Sequence, residues 1–210
     1  MKIALICGSP KAKNSASDLL LEDLKDHWGE NAEITKYGFH KTAISEEVIE
    51  ELAKSDAWVF AFPLYVDGIP GHLLSCLVQL EEARLQNPRI HIYSIVNCGF
   101  YEGIQAEFAL KVLRNWCLKA GFAWGGGIGI GGAGALPMMP KMESGKGPKA
   151  PVDKAFAVLS DVILKQETQE NTYVSIAFPR FLYQMAAQKG WRNMIKANGG
   201  KTKDLGKIPE

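Results

Sequence analysis

Apolar and polar positions follow two alternating patterns along most of the chain. Short unbroken apolar runs cover residues 3–7 and 57–62, a run interrupted only by His91 and Ser94 covers 90–96, and each is followed by apolar residues at helical spacing. A run this short, with Gly or Pro near its end, reads as a strand buried on both faces. A more polar strand is expected over 32–37, and a fifth begins at Phe122 and continues through the glycines toward Ile130. Helices are expected over 19–28, 45–53, 73–85, 106–119 and 152–166. Leu20, Leu24 and Trp28 form the first stripe; Leu110, Leu113, Trp116 and Cys117 form another, stopped by Gly121. Ser45 reads as a cap, with Glu46 and Glu47 where the helix dipole favours acids. Residues 171–178 read as extended. Pro179 then opens a helix over 181–197, which ends near Asn198-Gly199-Gly200.

Strand–helix units repeated in this way predict an α/β fold, a parallel sheet with helices on both faces and right-handed crossovers. Ligands of such sheets sit beyond the carboxyl ends of the strands. Three loops at that end are unusual. The first, Gly8-Ser9-Pro10-Lys11-Ala12-Lys13-Asn14-Ser15-Ala16-Ser17, runs from a buried strand into a helix N-terminus. Helix N-termini carry unpaired N–H groups and favour anions, so the loop reads as a phosphate site; the same serines also serve as ordinary caps. It is neither a P-loop nor a dinucleotide fingerprint, because both spacings are missing. The second loop, Pro63-Leu64-Tyr65-Val66-Asp67-Gly68-Ile69-Pro70, is aromatic and apolar where polar residues are usual. It reads as a cradle for a flat aromatic ligand or as a packed turn. The third, Asn97-Cys98-Gly99-Phe100-Tyr101-Glu102-Gly103, is again rich in Gly and aromatics.

Composition narrows the classes. The chain has 210 residues, 47% of them hydrophobic, and a formal net charge of +1. One domain with a tail is expected, and bulk charge points to no nucleic-acid partner. Cys7, Cys76, Cys98 and Cys117 show no Cys-x-x-Cys spacing, which excludes a zinc ribbon or cysteine-ligated cluster and suggests reduced thiols in a cytoplasm. No apolar stretch is long enough for a membrane span, and no signal peptide is expected. His27, His40, His72 and His91 have no ligand spacing, so no metal is expected. Gly127, Gly129 and Gly132 match Gly-x-Gly-x-x-Gly, but Pro137 and Pro140 follow where a helix must open, so the run reads as a strand. Residues 138–149 read as a lid, a dimer contact or a surface loop. Cys98 reads as a small hydrophobe or as a thiol beside a ligand. The basic helix over 181–197 fits a membrane surface, a partner, or an appendage packed on the domain or across a dimer.

The motifs Gly8-Ser9-Pro10…Asn14-Ser15-x-Ser17, Pro63-Leu64-Tyr65-Val66-Asp67-Gly68-Ile69-Pro70 and Asn97-Cys98-Gly99-Phe100 together resemble the flavodoxin-like NAD(P)H-dependent FMN reductase family, which includes quinone reductases. The resemblance implies a three-layer doubly wound fold whose five-stranded parallel sheet has the order 2-1-3-4-5. It implies an FMN-binding domain over 1–168; residues 169–210 lie outside the resemblance and read as a helical C-terminal extension packed on the domain or on a dimer partner. It further implies bound FMN, with NADPH or NADH as co-substrate, a small-molecule electron acceptor and a possible homodimer. By position, Ser9, Lys11, Asn14, Ser15 and Ser17 match phosphate ligands. Pro63, Leu64, Tyr65, Val66 and Asp67 match the isoalloxazine and ribityl cradle; Asn97, Cys98, Gly99 and Phe100 match the opposite wall. Lys11 stands where the family commonly has Arg. The expected activity is transfer of a hydride or electrons from NAD(P)H through FMN to a quinone, flavin or other small acceptor, with no protein side chain as acid or base. The alternatives are a flavodoxin-like electron carrier without its own turnover, and a flavin-free scaffold.

Overall fold

A computed structural model describes residues 1–85, 89–138 and 145–206. Six strands form one parallel sheet: β1 (Lys2–Cys7), β2 (Glu33–Gly38), β3 (Ala57–Pro63), β4 (His91–Asn97), β5 (Ala123–Gly131) and β6 (Thr172–Ser175). Their order is β2-β1-β3-β4-β5-β6. The expected 2-1-3-4-5 arrangement is present, with β6 added outside β5. That strand is short, and Asn171 Oδ1 helps to seat it by accepting from the Gly127 N–H (3.0 Å). The chain divides into two compact units, Met1–Ala177 and Phe178–Glu210.

In the first unit, side chains alternate across the sheet. Trp58, Phe60, Phe62, Ile92 and Val96 face one side and pack under α2 (Glu46–Leu52), α3 (Gly71–Glu82) and α4 (Glu107–Ala120). Trp58, Trp116 and Phe122 form an aromatic cluster there, with ring centroids 5.0 and 5.3 Å apart. Each buried indole N–H finds a carbonyl: Trp58 donates to Leu52 (3.0 Å) and Trp116 to Leu77 (2.9 Å). A lone buried donor would forfeit about 1–3 kcal/mol, so these bonds let the large rings be buried. On the other side lie α1 (Ala16–Lys25) and α5 (Ala150–Leu164). Trp28, just past α1, reaches under α5 and donates its indole N–H to the Ser160 carbonyl (3.2 Å). Lys149 pairs with Asp23 at the same junction.

The helix ends follow the local chemistry. Ser15 caps α1 by accepting from the Asp18 N–H, and Ser45 caps α2 by accepting from the Val48 N–H. Gly121 closes α4 in a left-handed conformation (φ 79°). In the expected lid region, residues 139–144 lie outside the described residues; Gly147–Lys149 form a 3-10 turn leading into α5. The second unit holds α6 (Arg180–Ala197), in which no residue is buried, and a 3-10 turn at Thr202–Gly206.

Among the described residues two side-chain atoms break the rule that buried polar atoms are paired, His72 Nε2 and the Ser94 hydroxyl. Ser94 is fully buried on β4, level with Phe60, and its hydroxyl has no partner among the described residues. Removing the orphaned hydroxyl removes its desolvation cost, so Ser94→Ala is expected to stabilise the fold by about 1 kcal/mol. In a thermal melt this is a rise of about 2–4 °C for a domain of this size.

Candidate functional site

The ladder of the sheet does not stop where the strands do. Past the carboxyl ends, each loop remains bonded to the neighbouring strand or loop. Gly8 donates to Ala61 (2.8 Å), Leu64 to Asn97 (2.8 Å) and Cys98 to Ile130 (2.9 Å). Because β1, β3 and β4 are adjacent, the loops that follow them emerge side by side. The three loops singled out in the sequence therefore share one edge.

The first loop turns tightly. Ser9 and Ser15 are buried, while Lys11, Lys13 and Asn14 are exposed. Ser9 Oγ accepts from the Lys11 N–H (3.2 Å), and Lys11 Nζ reaches back to the Asn14 carbonyl (3.1 Å). Asn14 is left-handed (φ 53°), a conformation Asn tolerates better than most residues. The turn delivers the chain to the start of α1. There the N–H groups of Ala16 and Ser17 have no partner within the helix, and the dipole is positive. The three serines differ. Ser9 and Ser15 accept main-chain bonds and keep a hydroxyl proton to give; Ser15 Oγ also lies 3.6 Å from Cys7 Sγ. Ser17 Oγ donates to Asn97 Oδ1 (2.7 Å), with both residues buried. Thus Ser17 offers an anion its main-chain N–H, and its hydroxyl joins the first loop to the end of β4.

The loop after β3 is a two-residue hairpin. Tyr65 and Gly68 exchange both main-chain bonds (3.0 and 3.1 Å) around Val66 (φ 47°) and Asp67 (φ 57°). Two successive positive φ angles define a type I′ turn, which favours Asn and Gly. A β-branched residue is strained there, and Val66 is also fully exposed. Pro63 and Leu64 are half-buried at its base, while Tyr65 and Asp67 are exposed. Across the edge, Gly99 and Phe100 are exposed beyond the buried Asn97 and Cys98. Tyr65 (51% exposed) and Phe100 (55%) thus offer two exposed aromatic rings on the loops of this edge.

The glycines of β5 explain how the second wall is held. The 3-10 turn Gly103–Ala106 lies directly on β5 and β6. A Cβ at Gly103 would meet the carbonyls of Val174 and Gly129, and one at Gly131 would meet the Tyr101 carbonyl. Within the run that imitates a dinucleotide motif, Gly129 and Gly131 instead permit backbone-on-backbone packing. Gly132 and Ala133 then donate to the Phe100 and Cys98 carbonyls (2.6 and 3.0 Å), so the start of the segment after β5 also supports this wall. Sequence reading gave that segment no such role, nor any role at the edge to His40, whose Nδ1 lies 2.7 Å from the Ser9 carbonyl.

Cys98 is buried, and its Sγ faces the carbonyls of Phe100 (3.6 Å) and Glu102 (3.8 Å). Burial pushes its pKa up to about 11; a main-chain hydrogen bond from Phe100 opposes the rise and the charge on Glu102 adds to it. The acid form is therefore favoured, and Cys98 remains a thiol through neutral pH. Burial also raises Cys7. Among the described residues, no His, Cys, Asp and Glu groups are clustered to hold a metal, and no helix is long and apolar enough to cross a membrane.

No family model and no curated protein matches this chain. Solved structures do. An NADH:FMN oxidoreductase in its apo form superposes with a TM-score of 0.60 at 16% identity, over 80% of this chain and 91% of that one. A short-chain flavodoxin associated with a non-canonical PDU bacterial microcompartment gives 0.54 at 13%, over 80% and 100%. The rubredoxin oxygen:oxidoreductase of Desulfovibrio gigas gives 0.57 at 14%, over 79% of this chain; the match spans only 35% of that longer protein. The fold is flavodoxin-like, and it is similar to that of NAD(P)H:FMN oxidoreductases.

Two outcomes are expected. Val66→Asn should stabilise the protein by about 1 kcal/mol, since a left-handed L-residue costs roughly 1–2 kcal/mol and Asn bears it best; urea unfolding checks this. In the native protein, Cys98 should resist alkylation by iodoacetamide at pH 7.5 and react only as pH rises toward its raised pKa, as read by peptide mass spectrometry.

Proposed function

We propose that this chain is an FMN-dependent NAD(P)H oxidoreductase acting on a quinone, a flavin or another small acceptor. The observation that carries this reading is the junction at the sheet edge. A turn and helix start rich in N–H and hydroxyl donors are joined through Ser17 and Asn97 to a rim bearing Tyr65 and Phe100. An FMN phosphate suits the turn: main-chain N–H groups from Ala16 and Ser17, hydroxyls from Ser9 and Ser15, and the Lys11 ammonium near Asn14 are all donors without competing carboxylates in the loop. The isoalloxazine suits the space between Pro63–Asp67 and Asn97–Phe100, where apolar faces are exposed above main-chain amides.

Bound FMN would supply the two-electron chemistry between the nicotinamide and the acceptor. This chain's residues then bind and orient. The hairpin and the Phe100 loop would hold the ring, and main-chain donors of these loops would favour negative charge on it. Cys98, kept as a thiol, needs no redox role. The match to a short-chain flavodoxin supports a second reading, an electron carrier. The formal net charge of +1 speaks against it, since such carriers are acidic and steer to basic partners.

The purified protein is expected to take up FMN with the two visible absorption bands of a bound flavin. Anaerobic addition of NADPH or NADH should bleach them within seconds, and a quinone should restore them. Retention of the colour under both nucleotides would favour the carrier, and failure to take up FMN would remove both readings.

A further inference from the structure

The loop after β2 brings a second element to the phosphate-binding turn. β1 and β2 run in register from Lys2↔Glu33 to Cys7↔Gly38, and the Phe39 N–H continues the pairing onto the Cys7 carbonyl (2.8 Å). Two further residues on each strand place His40 opposite Ser9. There the imidazole Nδ1 lies 2.7 Å from the Ser9 carbonyl. A carbonyl only accepts, so Nδ1 carries the proton and donates. The other ring nitrogen rests over Gly38, where a Cβ would occupy its place. Gly38 therefore makes room for the ring, and β2 fixes its height.

The carbonyl His40 holds is an unusual one. The next residue is Pro10, so the Ser9–Pro10 peptide carries an acceptor and no N–H. In a turn meant for an anion, such a peptide is a liability, because its carbonyl repels a phosphate if it rotates inward. Ser9 is buried, its hydroxyl already accepts from Lys11, and no other main-chain donor in the turn is directed at its carbonyl.

We infer that His40, seated on Gly38, is a positioning residue of the phosphate turn: it holds the Ser9 carbonyl away from the anion and leaves the donors of the turn facing it. This rests on the FMN reading above and goes beyond it, since the loop after β2 belongs to none of the three motifs that suggested flavin. The effect is specific to the phosphate, because His40 touches the turn rather than the Tyr65 or Phe100 loops.

The test compares FMN with riboflavin, which has the same ring and no phosphate. In fluorescence-quenching titrations of the full chain, His40→Ala should weaken FMN about three- to tenfold, the worth of one net hydrogen bond. Riboflavin affinity should stay unchanged. His40→Asn, which places an amide N–H where Nδ1 stands, should restore FMN affinity. Gly38→Ala, which evicts the ring, should reproduce the loss, and the double variant should lose no more. Equal loss for both flavins, or no loss for either, would overturn the inference, as would failure of His40→Asn to rescue. If His40→Ala does not fold, the Gly38→Ala and His40→Asn titrations decide alone. A wild-type chain that takes up neither flavin would instead overturn the underlying FMN reading, and this inference with it.

Discussion

A single buried contact, the Ser17 hydroxyl on the Asn97 amide oxygen, fixes the geometry of the sheet edge. It spans 80 positions of sequence and joins the first turn of α1 to the last residue of β4. Its net worth is about 1 kcal/mol, as for hydrogen bonds generally, but loss of one partner leaves the other orphaned at a cost of about 1–3 kcal/mol. The asymmetry matters more than the mean. A structure in which either loop drifted would strand a buried polar group, so the two halves of the rim are held at one separation. A ligand with an anionic end and a flat end needs such a separation.

The remaining bonds at the edge obey the same logic. Gly8, Leu64 and Cys98 each donate across to the neighbouring strand or loop, so the loops inherit the stagger of the parallel sheet. Polar main-chain groups that would otherwise be unpaired at strand ends are used in this way to build walls. Three residues at the edge are left-handed, Asn14, Val66 and Asp67; the β-branched Val66 suits that conformation least, and its side chain is fully exposed. Strain placed there is supported by the paired main-chain bonds of Tyr65 and Gly68 rather than by packing.

Much of this was legible in the residues. The unbroken apolar runs mark the buried strands because a strand under two helical layers has no solvent face, and Gly121 marks the end of α4 because it alone tolerates the left-handed turn. The three loops were visible as breaks in the pattern. The bond between Ser17 and Asn97 was not, because nothing local in either residue specifies a partner so distant in the chain. His40 was hidden for a related reason: its role follows from the register of β2 against β1, which only the assembled sheet sets. β6 was visible only as an extended stretch, since four residues that are mostly half-buried carry no alternation. Ser15 illustrates an ambiguity that sequence cannot resolve, because capping α1 and binding an anion there call for the same side chain.

The glycines of β5 have a consequence for how the rim can change. Where Gly103 rests on Gly129 and Val174, and Gly131 on Tyr101, the contacts run through main-chain atoms. Stiffness is thereby decoupled from side-chain identity. The exposed side chain at Phe100 can therefore be exchanged for another shape while the peptide carrying it stays put, so a lineage built on this scaffold is free to resculpt the outward face of the ledge without rebuilding the ledge itself.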